Sequence, residues 1–296
     1  MSTAVLIVNY RGYDDLERCL GSLEPHLGLD DEVVIVDWES DRKALRRAAG
    51  RWPRAEVVPR DDNRGFAAGV NLAAARSRAP FLLILNPDAV AEGPVVRELE
   101  GWLTRHPDVG VAGARVLDAD GTLQQSARRF PDLTTWLGGR STWLTSRFPG
   151  NWLTKRNLLA EAAAAAGEPV DVDWVSGACL MTRREVFERV GGFDEGFFLY
   201  WEDADYCGRV AEAGYRRSYV PLASVRHVAG RSAAYDPAPA IRAFHASAYR
   251  LYWKRASPAG RLLAPLVHVG LWLRGELFLR LATRRGAARS GDVTTS

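Results

Sequence analysis

Apolar and polar positions alternate in two rhythms along the first 110 or so residues. Short continuous apolar runs fall at residues 4–9, 33–36, 55–58, 81–85 and 109–112. Runs of this length, rich in β-branched residues, predict strands buried on both faces. Between them the spacing turns helical. Leu16, Leu20 and Leu23 share one helical face behind Asp14 or Asp15 as a cap, Asp41 opens a basic helical stretch, and residues 66–76 and 92–106 continue the pattern. Strands alternating with helices predict a mostly parallel α/β sheet with helices on both faces. In such sheets ligands bind beyond the carboxyl ends of the strands. Asn9, Asp37 and the turn Asn86-Pro87-Asp88 each stand at an end of that kind.

The rhythm breaks at residues 130–170, which hold Trp136, Trp143, Trp152 and an alanine-rich run at 160–166. This stretch reads as a flexible or acceptor-side insertion, not a separate domain. Order returns at 172–181, followed by helices at 183–190 and 203–213 and short strands at 217–220 and 224–228. Two terminal helices are expected at 237–255 and 258–284. The second interleaves Leu262, Leu263, Leu266, Val269, Leu273 and Leu277 with basic residues, and Arg274 and Glu276 interrupt its apolar stretch. That pattern argues against a membrane-spanning helix and for an amphipathic helix lying on a membrane surface. The alternative is that it packs on the body of the protein. The chain divides into an α/β domain, 1–235, and a basic amphipathic helical tail, 236–296.

Charge sharpens the picture. The 296-residue chain is 47% hydrophobic and 25% charged with a net charge of +3, an ordinary globular composition with enough apolar material for a sizeable core. Between Ala240 and Ser290 stand ten basic residues and a single acid, Glu276, so the tail is strongly basic and the remainder is net acidic. A basic, aromatic-rich tail suits an anionic surface; no nucleic-acid partner is expected. Cys19, Cys179 and Cys207 are odd in number and lack a C-x-x-C spacing, which suggests neither a disulfide framework nor a zinc site. The start runs directly into the first strand without a basic leader, so no signal peptide is expected and a cytoplasmic protein is.

Several motifs occur in order: Val5-Leu6-Ile7-Val8-Asn9-Tyr10, Asn63-Arg64-Gly65-Phe66-Ala67-Ala68-Gly69-Val70-Asn71, Leu85-Asn86-Pro87-Asp88, Gly177-Ala178-Cys179-Leu180-Met181, Gly191-Gly192-Phe193-Asp194-Glu195, Phe198-Leu199-Tyr200-Trp201-Glu202-Asp203, and then His227. The series, from about residue 4 to 232, resembles the family 2 glycosyltransferases of GT-A fold, especially their rhamnosyltransferase-like branch. The resemblance implies a Rossmann-like sheet, a nucleotide diphosphate sugar as donor and a divalent metal, Mg2+ or Mn2+.

Chemistry and resemblance together assign roles. A diphosphate leaving group gains negative charge as its bond to the sugar breaks, and a divalent ion stabilises it. Such an ion takes oxygen ligands, often only one or two protein carboxylates. Asp88 is placed for this; Asn86 stands where the family commonly has a further Asp. By resemblance His227 is a third ligand or diphosphate contact, with Arg231 and Ser232 following. An attacking hydroxyl needs a base, which the resemblance makes Asp203, with Glu202 in support; helix capping is the other use of two acids there. Asp37 is expected on the donor base, beside Trp38, which either stacks on that base or lies in the core. Asn9, Asn63, Arg64, Gly65 and Asn71 are expected on the donor, with Gly65 allowing close backbone approach. Tyr200, Trp201 and Asp194 are expected on the acceptor, Asp194 equally as a loop-holding residue.

The resulting expectation is an inverting single displacement that moves a sugar, best matched by rhamnose or another hexose, to a glycan or lipid-linked glycan at the inner face of the cell membrane. Two alternatives stand beside it. A sugar nucleotidyltransferase should carry a glycine-rich basic loop after the first strand, which Asn9-Tyr10-Arg11-Gly12 matches poorly. A catalytically inactive glycan- or membrane-binding scaffold would have little use for Asp88, Glu202, Asp203 and His227 together. Oligomeric state is left open.

Overall fold

The computed structural model describes residues 2–50, 52–124, 126–130, 167–227 and 237–291. Strands β1 (Thr3–Tyr10), β2 (Glu32–Trp38), β3 (Ala55–Arg60), β4 (Phe81–Leu85) and β6 (Val109–Leu117) alternate with helices α1 (Tyr13–Leu23), α2 (Arg42–Ala49), α3 (Phe66–Ala74) and α4 (Val95–Arg105). Short strands β5 (Ala89–Ala91), β7 (Ala127–Arg128), β8 (Val170–Asp171) and β9 (Trp174–Val175) are followed by β10 (Cys179–Arg183), α5 (Arg184–Arg189), α6 (Glu202–Glu212) and β11 (Arg216–His227). The tail forms α7 (Pro237–Arg255), α8 (Pro258–Leu262) and α9 (Ala264–Gly291).

The main sheet runs β3-β2-β1-β4-β10-β6-β11-β5, with β8 also on β11; β7 and β9 make a separate pair. β1, β2, β3 and β4 pair in parallel, as do β6 and β11. β10 is antiparallel to both β4 and β6, so these two share one direction and β11 ends on the same edge as β1, β2 and β4. The mostly parallel sheet therefore carries one antiparallel strand at its centre, a direction that apolar periodicity does not encode.

Both faces of the sheet are covered, which explains the continuous apolar runs. Ala4, Leu6 and Val8 of β1 and Leu82 and Ile84 of β4 pack with α3 and α6. Their alternates Val5, Ile7, Phe81, Leu83 and Leu85 pack with α1, α2 and α4. Leu16, Leu20 and Leu23 of α1 are fully buried, each contributing roughly 1.5–3 kcal/mol relative to exposure. Asp41 caps α2, accepting hydrogen bonds from the Lys43 and Ala44 amides. Asp14 and Asp15 do not cap α1: the helix starts one residue earlier, at Tyr13, and both acids lie inside its first turn, where they still favour the helix dipole.

The tail differs from the expected pair of helices by a break at Leu263. Pro265 has no amide hydrogen to donate to the carbonyl four residues back, so α8 cannot run on into α9. Ala248, Tyr252, Ala264, Val267 and Leu271 form a small core between α7 and α9, and Trp201 of the catalytic body packs against it. Most of the expected insertion at 130–170 lies outside the described residues.

Candidate active site

The shared edge of the sheet brings Asn9, Asp37, Asp88 and His227 to strand ends. The short turn after β4 is anchored by the Asn86 amide, which donates to the Ala178 carbonyl at 3.1 Å. Asp88 Oδ1 lies 3.0 Å from His227 Nε2, and the Asn86 side-chain amide lies 3.2 Å from the same nitrogen. Among the described residues no group of three or more His, Cys, Asp or Glu side chains could hold a metal alone. One carboxylate and one imidazole nevertheless fit a cation that completes its shell with diphosphate oxygens and water.

Asp37 is fully buried. It accepts hydrogen bonds from Asn9 Nδ2 at 2.6 Å and from the Tyr13 hydroxyl at 3.2 Å. Burial pushes its carboxyl above the usual range, and the bonds from Asn9, Ser40 and Tyr13 oppose that push. Asn9 Oδ1 beside it is buried with no hydrogen-bond partner among the described residues. Trp38 belongs to the core at 2% exposure, and its indole N–H donates to the Gly65 carbonyl at 3.1 Å. It pins the 63–65 loop and does not face a ligand.

The acid pair opens α6. Glu202 is buried, its Oε2 has no partner among the described residues, and its carboxyl is pushed well above the usual range by burial and then by the charge of Asp203. Asp203 is also raised by burial. It is opposed by hydrogen bonds from the Gly177 amide at 2.9 Å and the Ala204 amide at 2.8 Å, and by the positive charge of Arg128. Asp203 is thus better compensated than Glu202, whose carboxyl stays well above the usual range. Each Asp203 oxygen accepts one amide and keeps a further lone pair. Burial, and then the charges of Glu202 and Asp88, raise the Tyr200 phenol above its usual range.

The turn before α6 is strained. Tyr200 and Trp201 hold φ values of 68° and 70° in succession, a left-handed conformation costing of order 1–3 kcal/mol per non-glycine residue. Helix α7 braces it. Phe244 lies 5.7 Å from the Tyr200 ring and 5.4 Å from the Trp201 ring, and Ser247 Oγ donates to the Leu199 carbonyl at 2.9 Å. Arg250 reaches both Asp194 oxygens at 2.9 Å, and Lys254 reaches Asp194 at 2.7 Å and Asp205 at 2.6 Å. Burial alone would raise the Asp194 carboxyl; bonds from Lys254, the Gly196 amide and Arg250 outweigh it and hold it at about 2.

A match to the family model described as Glycosyl transferase family 2 spans residues 4–191. The chain belongs to glycosyl transferase family 2. It is a glycosyltransferase. It is 34% identical to an N-acetylglucosaminyl-diphospho-decaprenol L-rhamnosyltransferase of Mycobacterium tuberculosis, over 96% of this chain and 95% of that one. It is 39% identical to rhamnosyltransferase WbbL of Escherichia coli, over 84% of this chain and 89% of that one. Among solved structures, the mannosyltransferase PcManGT of Pyrobaculum calidifontis, in complex with GDP-Man and Mn2+, superposes with a TM-score of 0.57 at 20% identity, covering 98% of this chain and 75% of that one. The GT-A fold is thereby shared.

In this family 2 glycosyltransferase the 63–71 segment meets the acid-bearing turn. Gly65 has φ of 90°, and a Cβ there would collide with the Phe198 carbonyl oxygen, which also accepts the Phe66 amide at 2.8 Å. Asn63 Oδ1 accepts the Gly65 amide, Arg64 pairs with Glu195 at 3.3 Å, and Asn71 clamps Phe193 through both ends of its amide. Asn71 and Asp194 therefore hold loops in place. Arg231 and Ser232 lie outside the described residues. The sequence reading did not single out Tyr13, Gln124, Arg128 or the bracing side chains of α7; none carries a local signature.

Proposed function

We propose that this glycosyltransferase moves a rhamnose-type deoxyhexose from a nucleotide diphosphate donor to a hydroxyl of a lipid-linked glycan, with inversion and in a metal-dependent manner. The observation that supports the mechanism is that two adjacent residues hold both halves of the site: the Gly177 amide donates to Asp203 at 2.9 Å, and the Ala178 carbonyl accepts the Asn86 amide at 3.1 Å in the turn that carries Asp88. Asp203 accepts the proton of the acceptor hydroxyl while that oxygen forms its bond to the anomeric carbon. The bond from that carbon to the diphosphate oxygen breaks on the opposite side, and the nucleoside diphosphate departs with the electron pair. A divalent metal would be held by Asp88 and His227 and would supply charge neutralisation of the leaving diphosphate. Asp37 and Asn9 offer buried polar groups to the donor base, while Tyr200 and Trp201 wall the acceptor side. The sugar preference rests on the two rhamnosyltransferase relatives. Calorimetry with a panel of nucleotide diphosphate sugars, with and without Mn2+ or Mg2+, tests the reading. Metal-dependent binding of dTDP-rhamnose above the others is expected; equal indifference to all of them would sink it.

The enzyme works from the cytoplasmic face of a membrane that α9 contacts. Among the described residues no helix is long and apolar enough to cross a membrane. Leu266, Val269, Leu273 and Leu277 are exposed along one side of α9, with Trp272 beside them, opposite the buried Val267 and Leu271; Leu262, at the end of α8, is exposed as well. Arg261 of α8 and Arg280 of α9 are exposed, and Arg284, Arg285 and Arg289 follow in sequence. An apolar stripe flanked by arginines fits an anionic bilayer. Flotation with phosphatidylglycerol vesicles should recover the wild type and not the L266E/L273E variant. Equal flotation of the two would remove α9 as the contact.

A further inference from the structure

The hydrogen bonds around Gln124 fix the chemical form of His227. Gln124 follows β6 on a short return in which Leu123 bridges Leu117 and the Gln124 amide donates to the Val116 carbonyl at 2.8 Å. Its side-chain nitrogen donates to Asp118 Oδ1 at 2.6 Å and to the His227 carbonyl oxygen at 2.7 Å. Both partners only accept, so the two ends of the Gln124 amide cannot be exchanged without losing both bonds. Gln124 Oε1 is left 3.2 Å from His227 Nδ1. A carboxamide oxygen cannot donate, so Nδ1 must carry the hydrogen. In the neutral ring Nε2 is then the lone-pair nitrogen; the Asn86 side-chain amide can donate to it at 3.2 Å, and it also faces Asp88 Oδ1 at 3.0 Å. Two lone-pair atoms at that separation repel unless a cation or a proton lies between them.

We infer that Gln124 is a positioning residue that holds His227 in the Nδ1–H tautomer, so that Nε2 and Asp88 together present a two-atom cradle to a divalent cation. This rests on the metal reading above and adds a residue to it. The Asp118–Gln124–His227 chain is an outer layer that orients a ligand, and loss of such a partner typically weakens metal binding 10–100-fold.

The test combines two readouts on the full chain: the His227 tautomer from long-range proton–nitrogen NMR correlations, and Mn2+ retention in the presence of dTDP by electron paramagnetic resonance. The wild type should show Nδ1–H. The near-isosteric Q124M should drift toward Nε2–H and lose Mn2+ affinity by about tenfold or more. The tautomer readout separates the two roles, because losing a side chain that only packs would leave the hydrogen on Nδ1. An Nε2–H wild type, or Q124M indistinguishable from wild type in both readouts, would overturn the inference. So would a Q124M that loses Mn2+ affinity while keeping Nδ1–H, since that marks Gln124 as a packing residue only. A wild type that shows Nδ1–H but retains no Mn2+ would overturn the metal reading and the cradle with it, leaving Gln124 only the tautomer.

Discussion

The two halves of the site are built by opposite means. Asp88 lies in the short turn between β4 and β5 and His227 ends β11, and the pairing of β5 with β11, with His227 opposite Ala89, fixes their approach. Glu202 and Asp203 follow two successive residues in a left-handed conformation, and a helix from the far end of the chain braces that turn. Under the proposed roles, a leaving-group site needs only fixed charge, whereas a base that must meet an incoming hydroxyl would sit on a turn whose shape is imposed from outside.

The sharpest break in this comparison is Asp203→Asn. It should lower kcat by roughly 10²–10⁴-fold, the range for a general base, with donor binding by calorimetry unchanged; full turnover would move the base elsewhere. Next is Asp88→Ala, expected to abolish Mn2+ retention with dTDP and to slow transfer about 100-fold while leaving Asp203 in place. Retained Mn2+ would dissolve the cation pair.

Phe244→Ala tests the brace. Loss of its contacts with Tyr200 and Trp201 should destabilise the protein by about 1–3 kcal/mol and depress kcat more than Mn2+ retention. Equal losses in both would show that the halves are not separately supported. The smallest expected effect is Glu202→Gln, read as stability against pH. The folded-state pKa of Glu202 lies above its unfolded value. Its favourable contribution is therefore full below the unfolded pKa and is lost as pH rises through the folded one. The variant should flatten that decline in chemical denaturation between acid and neutral pH; an unchanged slope would mean the carboxyl is not held protonated.

Sequence legibility follows the same division. Apolar runs with polar ends showed the alternating layers and put Asn9, Asp37 and Asp88 at strand ends, because burial on both faces leaves a periodic trace. The antiparallel direction of β10 was not legible, since a buried strand reads alike in either direction. Nor was the placement of Trp38, whose indole pins Gly65 in the core. Asn71, within a motif expected on the donor, clamps Phe193, and Asp194, weighed equally as acceptor contact or loop holder, is held by Arg250 and Lys254. A polar side chain carries no mark in sequence of whether its partner is a ligand or another part of the chain. Gln124 was invisible for a similar reason: its role exists only through Asp118 and His227, more than a hundred residues apart.

The close seating of Gly65 on the Phe198 carbonyl has a consequence for anyone who would redesign this enzyme. The 63–66 loop and the turn that leads to Glu202 and Asp203 touch there through bare backbone, with no side chain at Gly65 to absorb a shift. Swapping in a loop from a relative to alter sugar preference would transmit its misfit straight to the acid-bearing turn. Grafts should therefore exchange both segments as one cassette.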